Sequence, residues 1–291
     1  MIDLEQARRF YAEEVAAVAN LHSPRLIEAL AHVHREEFLG PGPWQIVLPE
    51  AFTSGKPAYR LTPDANPRHL YHNVLVALDP TRNLNNGQPS ALAGWIETLD
   101  VREGETVYHL GCGVGYYTAI MAEVVGPGGR VVAIDADENL AARAARALAP
   151  WPHVTATHAD GIVFDPGPFD AALVNAGATH LVPIWLERLR PGGRLLVPLT
   201  VSLDPSSPMG QGFTLLVEHR GAGYAARFVG PVGIFPCLGA RDERSEARLR
   251  DVLMKGGWRR VQSLRRDPHD VVDSCLAHGV DSCLSAAPVQ T

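Results

Sequence analysis

Three glycines, a cysteine and an acid hold the most legible chemistry in this chain. Gly111, Cys112, Gly113 and Gly115 form a G-x-G-x-G turn straight after a short apolar run at 107–110. A second apolar run, at 131–134, ends on Asp135, with Ala136 behind it. Glycines after a strand let backbone approach a ligand where a Cβ would collide. The helix that follows offers its unpaired N–H groups to the same place. A carboxylate ending the next strand can accept two hydrogen bonds from a ribose diol. The dinucleotide fingerprint G-x-G-x-x-G would need glycine where this chain has Tyr116. A bulky residue there argues against a pyrophosphate and for a nucleoside without phosphate, such as S-adenosylmethionine. A purely structural glycine turn is the plainer alternative, and the flanking strand, helix and acid weigh against it.

Other residues compete for chemical roles. His69 and His72 stand three apart and suit a metal or substrate, but a polar loop face is the preferred reading. Cys112 sits at a helix N-terminus, where a thiolate is conceivable; a small buried residue explains it better. His180, just past an apolar strand, is the best-placed general base should the reaction need one, and a surface or capping histidine is the favoured alternative. In the tail, VDSCL occurs at 272–276 and again at 280–284. Cys275, His278 and Cys283, with His269, are candidate zinc ligands. Their C-x2-H-x4-C spacing is not a standard finger, so no metal is assigned. Strands or turns packing small apolar residues are the alternative.

The elements that must position these groups follow from periodicity. Residues 3–20 have helical spacing, and Ser23-Pro24 starts a second helix running to about 38–40. Residues 44–86 are irregular, with a strand or short helix at 69–78. A helix covers 90–99 and the glycine turn's helix 116–125. Strands at 107–110, 131–134, 154–158, 169–174 and 194–199 alternate with helices at 138–148 and 182–189. That alternation means a doubly wound parallel sheet. Pro191-Gly192-Gly193 reads as a turn, 202–212 as a loop, and 213–219 with 224–229 as a hairpin. A charged helix spans 242–254.

The 291 residues, 46% apolar and 20% charged, describe a soluble globular chain with room for a large core. A net charge of −6 advertises no nucleic-acid partner. No apolar run reaches the roughly 18 residues of a membrane span, and the charged N-terminus is not a secretory signal. Four cysteines make no disulfide framework, so the cytoplasm is the expected location.

The chain resembles the protein-L-isoaspartate O-methyltransferases, a branch of the Rossmann-like S-adenosylmethionine-dependent methyltransferases. The likeness spans about residues 20–240. It rests on SPRLIEALAHVHREEFLGP, NNGQPSALAGWIETL, VYHLGCGVGYYTAIMAEVVG, VVAIDAD, HADGIVFDPGPFDAALVNAGA, LRPGGRLLVPL, and QGFTLLVEH with ARFVGPVGIFPCLG. It implies an α/β fold: a Rossmann-like, doubly wound, mostly parallel sheet with N-terminal helices, a C-terminal β-hairpin and an extra tail. Segments 1–85, 86–240 and 241–291 would be the acceptor side, the cofactor core and the Cys/His tail. Gly111, Gly113 and Gly115 would line the methionine side of the cofactor, Asp135 would hold the ribose, and Asp160 and Gly161 would sit at the adenine. A helix cap is the rival role for Asp160. Cys112, Ala136, Gln88 and Asn175 complete the expected cofactor set, and Gln88, Asn86, His180 and Asn175 are candidates on the acceptor side. Two positions depart from the family. Gly87 stands where its acceptor-side serine precedes Q-P, and Asn175 stands where a small or hydroxyl residue is usual. Both changes put isoaspartate repair in question.

The leading expectation is methylation of a carboxylate on a protein or peptide. A carboxylate is ionised at neutral pH and needs no base. A small-molecule methyltransferase, or a cofactor-binding protein without catalysis, are the alternatives; a tRNA acceptor fits the acidic chain less well.

Overall fold

Capping sets where the first helices begin. Asp3 accepts the Gln6 N–H and starts α1 (Leu4–Ala19). Ser23 Oγ accepts the Leu26 N–H at 3.3 Å and Pro24 takes the first position of α2 (Pro24–His32). This computed structural model describes residues 3–51, 58–204, 207–279 and 281–289. Val280 and part of the 202–212 loop lie outside them.

The chain continues through α3 (Glu36–Leu39), β1 (Gln45–Val47), β2 (Tyr59–Leu61), β3 (Ala77–Asp79), β4 (Leu84–Asn85) and α4 (Pro89–Leu99). Then come β5 (Thr106–Leu110), α5 (Tyr116–Val125), β6 (Arg130–Asp135), α6 (Glu138–Ala147), β7 (Val154–His158) and β8 (Phe169–Val174). α7 (Pro183–Glu187), β9 (Leu189–Val201), β10 (Gly210–Arg220), β11 (Gly223–Ile234) and α8 (Glu243–Met254) follow. Three short strands end the chain: β12 (Ser263–Arg265), β13 (Cys275–His278) and β14 (Cys283–Ser285).

Two compact units result: Met1–Gly104 with Cys112–His158, and Glu105–Gly111 with Ala159–Thr291. In the first, α1 and α2 bury Tyr11, Ala12, Val15, Leu26, Ala29 and Leu30. α5 is apolar all round and almost wholly buried. β6 and β7 run parallel, with Asp135 opposite His158. In the second unit the strand order is β13-β14-β12-β11-β10-β9-β8-β5. β5, β8 and β9 pair in parallel, and every pair beyond β9 is antiparallel. β8, FDAALV, is apolar but for Asp170 because both its faces are covered. The fold is the Rossmann-like α/β class. Among the described residues no helix is long and apolar enough to cross a membrane.

The structure corrects several boundaries. The second helix stops at His32 and resumes only as α3. Between them the buried Arg35 guanidinium donates to the carbonyls of Leu70, His72 and Val74. Residues 69–78 are neither one strand nor one helix: a 3-10 turn covers Pro67–Leu70 and β3 begins at Ala77. Pro191-Gly192-Gly193 is not a turn ahead of the fifth strand. It is accommodated within β9, where the register with β8 shifts between Phe169 and Ala171. The hairpin is longer than periodicity suggested, because β10 and β11 stay paired from Gly210↔Ile234 to Arg220↔Gly223.

Candidate functional site

The glycine turn is built from main-chain bonds. Cys112 N–H donates to Ile134 O at 3.0 Å, and Gly115 N–H to Cys112 O at 3.0 Å. Gly113 N–H donates to Asp135 Oδ2 at 2.8 Å, and Asp137 N–H to Oδ1 at 2.9 Å. The carboxylate is therefore turned toward the glycine turn and fixed at both oxygens. A carboxylate has about four acceptor positions, so lone pairs remain for a diol. Burial raises the Asp135 pKa, against the pull of these two N–H groups. Ala136 is exposed beside it. α5 starts at Gly115, so no side chain caps this helix N-terminus.

The three glycines have different reasons to be glycine. Gly113, at φ +58°, would meet nothing within 4 Å if it carried a Cβ. At Gly115, φ +93°, a Cβ would lie 2.9 Å from Leu148 Cδ1, so this glycine lets α6 pack. Gly111, in the second unit, backs onto Asn175: a Cβ would come 3.1 Å from the Asn175 carbonyl oxygen. Asn175 Nδ2 donates to Gly111 O at 3.2 Å, so that side chain braces the turn's entry.

Gly161 also has a packing role. A Cβ there would lie 2.3 Å from Leu110 Cδ1, and its carbonyl accepts the Trp185 indole N–H at 2.8 Å. Asp160 is exposed and accepts the Ile162 N–H at 3.1 Å; the bond closes a turn, and no helix follows for it to cap. Cys112 is buried, and that burial, with the Asp135 charge, raises its thiol pKa, so it is a thiol.

The 86–88 segment belongs to the first unit. Tyr117, on the helix that leaves the glycine turn, donates its hydroxyl to Gly87 O at 3.2 Å. Gln88 Nε2 donates to the Asn73 carbonyl at 2.6 Å and to its Oδ1 at 2.9 Å. Asn73 Oδ1 also accepts the Ser90 N–H, so Gln88 ties the 70–74 loop to α4. Asn86 is buried, and its Nδ2 has no hydrogen-bond partner among the described residues. His69 pairs with Asp64 at 2.8 Å, the His72 carbonyl accepts from Arg35, and among the described residues neither ring falls in a cluster of potential metal ligands.

His180, in the second unit, has Nδ1 3.2 Å from Asp242 Oδ2 and 3.2 Å from Thr179 Oγ1. It lines a cavity of about 290 Å³ with Thr179, Arg244, Arg248 and part of the β13–β14 hairpin. In that hairpin and the loop before it, His269, Cys275, His278 and Cys283 come together. Sequence reasoning missed Arg35 and Asp242. Arg35 lay in the quoted REEF segment, where an arginine gives no local sign of burial. Asp242 is far from His180 in sequence and showed only as a helix start.

The glycine turn, the clamped acid and the uncapped helix, on this fold, define a class I S-adenosylmethionine-dependent methyltransferase. The sequence model of the family described as Protein-L-isoaspartate(D-aspartate) O-methyltransferase (PCMT) matches residues 63–207. The Ignicoccus hospitalis protein-L-isoaspartate O-methyltransferase is 35% identical over 156 residues, 52% of this chain and 70% of that one. A solved protein-L-isoaspartate O-methyltransferase superposes with TM-score 0.61 at 21% identity, over 81% of this chain and 69% of its own. Another solved structure, from Plasmodium falciparum and in complex with S-adenosyl-L-homocysteine, gives TM-score 0.57 at 15% identity, over 79% and 97%. At these identities the two structures establish the fold. The chain belongs to the protein-L-isoaspartate O-methyltransferase family.

Proposed function

We propose that this chain methylates a carboxylate on a protein or peptide, an isoaspartate-methyltransferase-like reaction with an altered acceptor site. The observation that carries the reading is the Tyr117 hydroxyl bond to Gly87 O at 3.2 Å. It ties Gly87, at the boundary between the acceptor-side segment and the cofactor core, to the helix that leaves the cofactor turn. S-adenosylmethionine supplies an electrophilic methyl when bound. Gly113 leaves room for it, and Asp135, already oriented by two backbone N–H groups, accepts from its ribose. Asn86 Nδ2, buried and without a partner among the described residues, is a donor for the incoming carboxylate. An ionised acceptor needs alignment and exclusion of water more than a base. In this reading residues 1–85 serve the acceptor, 86–240 the cofactor, and 241–291 form the tail. A cytoplasmic location goes with it, and the four unbridged cysteines support that.

A second reading, a small-molecule acceptor, is favoured at two places. Gly87 is at φ +76°, and a Cβ there would lie 3.0 Å from Leu92 Cδ2 and 3.3 Å from Tyr117 Cε2. The family's serine contact is thus absent and cannot be restored without strain. The His180–Asp242 pair beside its cavity would also suit a hydroxyl or amine acceptor needing a base. Calorimetry with S-adenosylmethionine, followed by transfer to an isoaspartyl peptide, an aspartyl peptide and small hydroxyl or amine acceptors, separates the readings. Transfer to a peptide carboxylate supports the first. Transfer confined to small acceptors, and lost in His180→Ala, supports the second. Failure to bind the cofactor overturns both.

A further inference from the structure

The tail holds a site that methyl transfer does not use. His269, Cys275, His278 and Cys283 each present one donor atom, and the four atoms lie within 4.8 Å of one another. Strand pairing brings three of them together. β13 and β14 are antiparallel, with His278 opposite Cys283 and Cys275 opposite Ser285. The loop before β13 returns the fourth. Cys283 is buried and the other three are half-buried.

The surroundings of these donors point to a ligand. His269 Nδ1 lies 2.7 Å from the Asp267 carbonyl oxygen. Only a protonated nitrogen can make that bond, so the neutral ring has its lone pair on Nε2. That atom lies 3.5 Å from Cys275 Sγ. A metal-bound imidazole ordinarily donates its other N–H to a carbonyl or carboxylate in this way. Val272 N–H points at Cys275 Sγ at 3.4 Å, a contact that favours a thiolate. His278 Nδ1 is buried with no hydrogen-bond partner among the described residues, which is costly unless something takes up the nitrogen.

We propose that His269, Cys275, His278 and Cys283 bind one structural Zn²⁺. Two thiolates and two imidazoles are a standard tetrahedral zinc set, with bonds of about 2.3 Å to sulfur and about 2.0–2.1 Å to nitrogen. The edges of such a tetrahedron are roughly 3.3–3.8 Å. The Cys275–His269 separation of 3.5 Å already matches, and the widest pair needs to close by about 1 Å. On binding, both cysteines form Zn–S bonds and release their thiol protons to solvent, leaving a centre of no net charge. The fold supplies a reason for it. β12, β13 and β14 are only three, four and three residues long, and β13, which carries Cys275 and His278, has no fully buried residue. A metal can replace the missing core in so small a segment. Ala277, Gly279, Asp281 and Ser282 of the clasped hairpin also form one wall of the cavity that holds His180. The site stands whichever acceptor reading holds.

The test is metal analysis of the full chain, purified under reducing conditions without a histidine tag. We expect about one zinc per chain, falling at least about tenfold in Cys275→Ser and in Cys283→Ser and unchanged in Cys237→Ser. Because a variant can misfold, the unmodified protein is also stripped of metal and titrated with Co²⁺. One equivalent should give the charge-transfer and intense ligand-field absorption of a tetrahedral thiolate site, and Zn²⁺ should bleach it. Three results would overturn the proposal: neither native zinc nor that spectrum, a Cys275–Cys283 disulfide in protein kept reduced, or full zinc retention by Cys275→Ser.

Discussion

The glycine turn and the tail hairpin each gather polar groups, and they do so in opposite ways. Around Asp135 the protein satisfies its own site: two backbone N–H groups hold the carboxylate before any ligand arrives. In the tail, antiparallel register collects four donors that satisfy one another poorly, and the His278 Nδ1 is left without a partner among the described residues. A site completed by its own main chain is preorganised for a ligand that comes and goes. A site completed only by an added ion is part of the folding of its segment.

The comparison breaks most readily at Asp135. Asp135→Ala should weaken S-adenosylmethionine binding about a hundredfold, roughly 2.7 kcal/mol, because charge-assisted bonds to the ribose are lost. Calorimetry measures it, and the zinc content should not move. Next are two of the turn's three glycines. Gly115→Ala should cost about 2 kcal/mol in denaturant unfolding, since it combines positive φ with a contact on Leu148. Gly113→Ala should cost about half as much stability but more cofactor affinity, because its surroundings are open. If both lost stability alone, the turn would not face the ligand.

A third test concerns a buried histidine. His109, fully buried on β5, is pushed down to about 3 by that burial. The unfolded chain then binds a proton below pH 6.5 that the folded chain refuses. Stability should fall with pH from about 6.5 toward 3 by up to about 1.4 kcal/mol per unit, and be fully present above that window. His109→Gln should flatten the slope in pH-dependent unfolding. The smallest global effect belongs to the tail. Chelation should lower overall stability by only about 1 kcal/mol, because short strands are loosened while the core stays intact. Hydrogen exchange should quicken at β13 and β14, with cofactor affinity unchanged within about twofold.

What the sequence determined by itself was local. The glycine turn, the acid at the next strand's end, the capping serine before Pro24 and the alternating apolar runs are neighbours in the chain. Turn geometry, capping and periodicity act over a few residues, so composition and spacing suffice to read them. The tertiary structure decided what depends on contacts between distant residues. It turned Arg35 inward onto the 70–74 carbonyls, gave Gly115 and Gly161 packing roles, and used Gln88 as a brace. It paired His180 with Asp242 and gathered four tail donors whose spacing matches no finger. A side chain's partner across 60 residues is set by strand register and packing, and neither is written in the spacing of the residues themselves.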